Sequence, residues 1–98
     1  MKKITYNFKD RTAVITGGAQ GFGLDIAKRF LDSGANVIIW DMDSEMTDKA
    51  VKDLNNPNLS SNKIDVSNFK EVQECTNEIL KKKNIDILIN NAGITGPT

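Results

Sequence analysis

The chain has 98 residues, 39% hydrophobic and 27% charged, with 13 basic residues balancing 13 acidic ones; it is one small globular domain or part of a larger one. A zero net charge offers no electrostatic footprint for nucleic acid or an anionic membrane, and no apolar run approaches membrane-spanning length. The opening MKKITYNFKD lacks the apolar core of a secretory signal, and the single cysteine, Cys75, excludes an internal disulfide, so a cytoplasmic protein is expected.

Strand-like and helix-like segments alternate along the chain. TAVIT, Thr12 to Thr16, is short, β-branched and apolar on both faces, the pattern of a buried parallel strand. The period changes at Gly21. Ile26, Ala27, Phe30 and Leu31 then share one helical face, with Asp25, Lys28, Arg29 and Asp32 mostly turned away, and Gly34 ends the helix. NVIIWD, Asn36 to Asp41, is a second buried strand. Ser44 is the expected cap of a second helix, with Glu45 in its first turn and Thr47, Ala50, Val51 and Leu54 on its apolar side.

NNPN stops that helix, and SNKIDV, residues 61–66, forms a weaker third strand. Ser67 or Asn68 caps a third helix whose apolar stripe is Val72, Cys75, Thr76, Ile79 and Leu80. Lys81, Lys82 and Lys83 stand at its C-terminal end, where positive charge suits the dipole. IDILIN, Ile85 to Asn90, is a fourth buried strand, and NAGITGPT is irregular. Alternation of this kind requires parallel strands, right-handed crossovers and helices on both faces. The expected fold is an α/β, Rossmann-type doubly wound sheet ordered 3-2-1-4 and truncated after its fourth strand.

Glycine fills four of the eight positions of TGGAQGFG, Thr16 to Gly23, between the first strand and the first helix. In a doubly wound sheet that loop opens beside the crevice where ligands bind, and the helix behind it aims unpaired N–H groups and a positive dipole end at the ligand. Gly17, Gly18, Gly21 and Gly23 remove side chains that would keep a pyrophosphate away. A ligand-free tight turn would use the same residues, so three further markers matter. Asp41 ends the second strand, 18 residues beyond Gly23, where an acid accepts hydrogen bonds from both ribose hydroxyls of an adenosine. A carboxylate repels a 2′-phosphate; Gln20 and Met42 are uncharged and no nearby cation is read from the sequence, so NAD is expected rather than NADP. Asp65 and Val66 can hold an adenine amino group and pack on its ring, although a helix-entry aspartate looks the same. NNAG, Asn90 to Gly93, suits a backbone running beneath an adenosine, although asparagine at a strand end is also turn chemistry.

Together these residues resemble the short-chain dehydrogenase/reductase family. Thr16, Gly17, Gly21 and Gly23 match its Thr-Gly-x-x-x-Gly-x-Gly loop, Asp65 and Val66 its Asp-Val, and Asn90, Asn91, Ala92 and Gly93 its Asn-Asn-Ala-Gly. Phe22 stands where isoleucine or leucine is commoner. The resemblance runs from about Lys9 to the last residue. It implies a nicotinamide site built from Gly17, Gln20, Gly21, Phe22, Gly23, Asp41, Asp65, Val66, Asn90, Ala92 and Gly93, with Phe22 and its neighbours along the pyrophosphate. It also implies hydride transfer between nicotinamide and a carbonyl or alcohol, a small-molecule substrate, a homo-oligomeric parent, and neither nucleic acid nor membrane as partner.

The family's acid/base pair is a tyrosine with a lysine four residues later, assisted by a serine and an asparagine; a phenol needs a nearby cation to deprotonate at working pH. The sole tyrosine, Tyr6, precedes the first strand and is followed four places on by Asp10. Residues 1–98 are therefore expected to be the N-terminal, cofactor-binding part of one dinucleotide-binding domain, inactive and marginally stable alone, with the fourth strand an apolar edge. Two alternatives stand beside this: a non-catalytic nucleotide-binding or interaction module, and a class I methyltransferase, against which the loop spacing and NNAG argue. A P-loop nucleotidase is excluded because no Gly-Lys-Ser/Thr follows the loop. Cys75 is expected to serve packing.

Overall fold

The computed structural model describes residues 8–91. Seven elements follow one another: β1 (Thr12–Thr16), α1 (Gly21–Asp32), β2 (Asn36–Asp41), α2 (Ser44–Leu54), β3 (Leu59–Lys63), α3 (Phe69–Leu80) and β4 (Ile87–Asn90). The strands form a parallel sheet in the order β3-β2-β1-β4, the doubly wound arrangement read from the alternation. β1 is buried at every position and β2 at its four central ones, as a strand with neighbours on both edges and helices on both faces must be.

Each helix lies where its apolar stripe finds a sheet face. Ile15, Val37 and Ile39 pack with Ala27 and Leu31 of α1, and Met46, Val51 and Leu54 of α2 close the same cluster. Val14, Ile38, Trp40 and Ile64 face the other way and are covered by Val72, Cys75 and Ile79 of α3. Side chains alternate in direction along a strand, so β1 and β2 supply both layers. At the amino edge Asp86 fastens the approach to β4. Its backbone N–H donates to the Thr12 carbonyl (2.9 Å), and its carboxylate accepts from the Thr12 N–H (2.9 Å) and from Arg11 (3.4 Å).

Three expectations are corrected. The cap of α2 is Asp43, not Ser44: Asp43 has extended backbone and its carboxylate accepts from the Met46 N–H at 3.0 Å, whereas Ser44 is already helical. β3 runs over Leu59–Lys63 rather than residues 61–66, because the ladder places Leu59 opposite Val37. Ile64 is buried, but it fills the core after the strand has ended. The fourth strand begins at Ile87 and is not fully buried: Leu88, in register with Val14 and so on the same face of the sheet, is 62% exposed. Asn68, one of the two expected caps of α3, accepts from the Glu71 N–H at 3.2 Å.

Candidate functional site at the carboxyl edge of the sheet

The loop between β1 and α1 is held by three neighbours. The Gly17 N–H donates to the Trp40 carbonyl at 2.8 Å, its carbonyl accepts from Asn91 Nδ2 at 3.0 Å, and the Ala19 N–H donates to Asp41 Oδ2 at 3.4 Å. Gly21 has φ +59 and space around it, so its freedom is conformational. Gly23 is different. A Cβ there would collide with the Gly17 carbonyl oxygen and stand 2.8 Å from Asn91 Nδ2. Its missing side chain lets the start of α1 lie directly on the loop.

The opening of α1 is unlike that of the other two helices. Its N-cap, Gln20, makes no side-chain capping bond, and its first turn carries no acid. α2 and α3 have Asp43 and Asn68 as capping side chains, with Glu45 and Glu71 in their first turns. Among the described residues the first N–H groups of α1 thus have no capping side chain, and they carry the positive end of the dipole. Gln20, Gly21 and Phe22 are exposed around this point, Phe22 at 80%.

Asp41 is half-buried beside the loop, with Oδ1 accepting the Asp43 N–H at 3.0 Å and Oδ2 turned to Ala19. Backbone donors therefore orient the carboxylate. Asp65 and Val66 follow β3 at the same edge, with Val66 39% exposed. Asp65 Oδ1 is occupied by Ser67, from its hydroxyl at 2.6 Å and its N–H at 2.9 Å. These two bonds, the hydroxyl's foremost, hold the Asp65 carboxyl below its ordinary range. The helix-entry role is thus realised for one oxygen of Asp65.

The asparagines closing β4 serve the scaffold as well as the edge. Asn90 Oδ1 accepts from Thr16 Oγ1 at 3.2 Å, and Asn91 ties the strand end to Gly17. Asn91 belongs to the Asn-Asn-Ala-Gly match, but its tie to Gly17 spans 74 positions and is visible only in the fold. Ala92, Gly93 and Tyr6 lie outside the described residues. Between α3 and β4 a pocket of about 370 Å³ opens beneath this edge, lined by Thr16, Trp40, Val66, Val72, Leu88 and Asn90.

Trp40 Nε1 is buried without a hydrogen-bond partner among the described residues. Burial pushes the neighbouring Cys75 thiol up, and Glu78 adds to the rise. A thiol kept protonated is a poor nucleophile, in keeping with packing. Among the described residues no group of acidic, cysteine or histidine side chains could hold a metal ion, and no helix is long and apolar enough to cross a membrane.

A parallel sheet whose first loop is glycine-rich, whose first helix is uncapped and whose second strand ends in an oriented carboxylate is a dinucleotide-type site in form. The sequence family described as short chain dehydrogenase matches residues 11–98. The chain belongs to this short-chain dehydrogenase family. It is 41% identical over 88 residues to the 3-oxoacyl-(acyl-carrier-protein) reductase FabG of Chlamydia pneumoniae, an alignment covering 87% of this chain and 36% of the relative. It is 38% identical over 88 residues to the meso-2,3-butanediol dehydrogenase of Serratia marcescens, covering 89% and 35%. Among solved structures, 2-keto-3-deoxy-D-gluconate dehydrogenase from Streptococcus agalactiae superposes with a TM-score of 0.82 at 32% identity, over 96% of this chain and 36% of that one. The short-chain dehydrogenase family member thus spans about a third of the length of these curated relatives.

Proposed function

We propose that the chain is the NAD-binding portion of a short-chain dehydrogenase/reductase that transfers a hydride between nicotinamide and a carbonyl or alcohol substrate. The observation that carries this reading is the uncapped N-terminus of α1, set behind the glycine loop and beside Asp41. Gly17, Gln20, Gly21, Phe22 and Gly23 would line the pyrophosphate, with dipole and N–H groups meeting its charge. Asp41 would accept from the adenosine ribose, and Val66, Asn90, Ala92 and Gly93 would lie along the adenine, with the second oxygen of Asp65 towards its amino group. When bound, the nicotinamide supplies the hydride chemistry. Residues 1–98 contain no tyrosine with a lysine four places on, so the acid/base pair belongs to a further part of the domain in a longer parent. The relatives' names range from a 3-oxoacyl-(acyl-carrier-protein) to a butanediol; a small-molecule carbonyl or alcohol, a cytoplasmic setting and a homo-oligomeric parent complete the reading.

The test is a calorimetric titration of the chain with NAD and, separately, with S-adenosylmethionine. NAD binding that is weakened about tenfold or more by Asp41→Ala, through loss of two charge-assisted hydrogen bonds, supports the reading. Binding of S-adenosylmethionine in preference to NAD overturns it.

A further inference from the structure

The sheet register brings a charge to Asp41 that spacing along the chain conceals. Asp41 closes β2, and its partner across the β2–β3 ladder is Lys63, the last residue of β3. Residues in register on neighbouring strands project from the same face of a sheet, with the strands about 4.8 Å apart. Lys63 is exposed and makes no ion pair among the described residues. The expectation that no cation lies near Asp41 is therefore corrected: the cation comes from the adjacent strand, 22 positions away.

The two charges stand where the ribose of an adenosine would meet the carboxyl edge. A carboxylate there accepts from the two ribose hydroxyls and repels a 2′-phosphate, which needs a cation instead. We propose that Lys63 is a specificity-determining residue of the nucleotide site. Its ammonium, three donors on a flexible four-carbon stem, offsets the repulsion between Asp41 and a 2′-phosphate and narrows the preference for NAD over NADP. This inference rests on the nucleotide-site reading above. β3 is also an edge strand, where a lysine discourages pairing with another chain. That role is met by a charge of either sign and does not distinguish a ribose from its phosphate.

The probes are 5′-AMP and 2′,5′-ADP, which differ only in the 2′-phosphate, titrated into the 98-residue chain with binding followed by amide chemical shifts. Lys63→Gln should weaken 2′,5′-ADP about three- to fivefold, the scale of an exposed charge pair, with a larger loss in Lys63→Glu and about twofold change or less for 5′-AMP. Added salt should erode the wild-type advantage over Lys63→Gln. Equal effects on both probes, or no effect on either, overturn the role of Lys63 while leaving the nucleotide site standing. Failure of wild-type chain to bind either probe overturns the nucleotide-site reading and the role of Lys63 with it.

Discussion

Gly23 is the point at which loop, helix and β4 meet, and it separates two uses of glycine. At Gly23 an added Cβ strikes the Gly17 carbonyl and crowds Asn91, so Gly23→Ala must displace backbone and should cost about 3 kcal/mol. At Gly21 nothing lies within 4 Å and only the positive φ resists; Gly21→Ala should cost roughly 1 kcal/mol, and Gly21→Asn less. Urea unfolding followed by the fluorescence of Trp40, the sole and buried tryptophan, measures both. Equal costs at the two positions would refute the distinction. Asp65 offers a titration. The Ser67 hydroxyl, then the Ser67 N–H, lower its pKa from 3.8. A depressed folded pKa contributes stability present above 3.8 and lost as pH falls through the folded value. Ser67→Ala should move the Asp65 midpoint back towards 3.8 in a carboxyl carbon NMR titration; an unmoved midpoint would exclude the hydroxyl as the main cause.

At the scale of the element, composition and geometry part company at helix starts. Asp43 and Ser44 are both good capping types, and only the extended backbone of Asp43 lets its carboxylate reach the Met46 N–H. Asp43→Ala should therefore destabilise by about 1 kcal/mol and Ser44→Ala by less than about 0.5 kcal/mol, read from denaturant midpoints. The reverse order would restore Ser44 as the cap. β3 shows the same separation. Ile64 and Val66 made residues 61–66 look like the strand, yet the ladder uses Leu59–Lys63 and leaves Ile64 to pack beyond its end. Burial and ladder membership are different properties, and a short polar strand such as LSSNK shows too little alternation to reveal its own limits.

Across the whole molecule the two edges of the sheet differ. β3 ends in Asn62 and Lys63, both exposed, whereas β4 is Ile-Leu-Ile-Asn with Leu88 62% exposed and, among the described residues, one strand neighbour. An uncharged apolar edge invites pairing with another chain. Leu88→Lys should leave the circular dichroism spectrum unchanged and reduce light scattering of concentrated solutions; unchanged scattering would show that β4 is not the adhesive edge. The same edge adjoins the pocket beside Trp40 and Val72, so association there would alter the surroundings of the carboxyl edge.

The alternation of apolar runs with helical periodicity and the chirality of crossovers were enough to specify strand order, because each is a pattern with one compact solution. The bounds of β1, α1 and β2 were legible for the same reason, their apolar periods beginning and ending sharply. Only the tertiary structure decided that Asn91 holds Gly17, that Ser67 occupies Asp65 and that Lys63 stands beside Asp41. Register is set between strands by the ladder and by the core packed on it. A shift of one residue would turn every side chain of β3 to the opposite face, and nothing within LSSNK itself specifies which register holds.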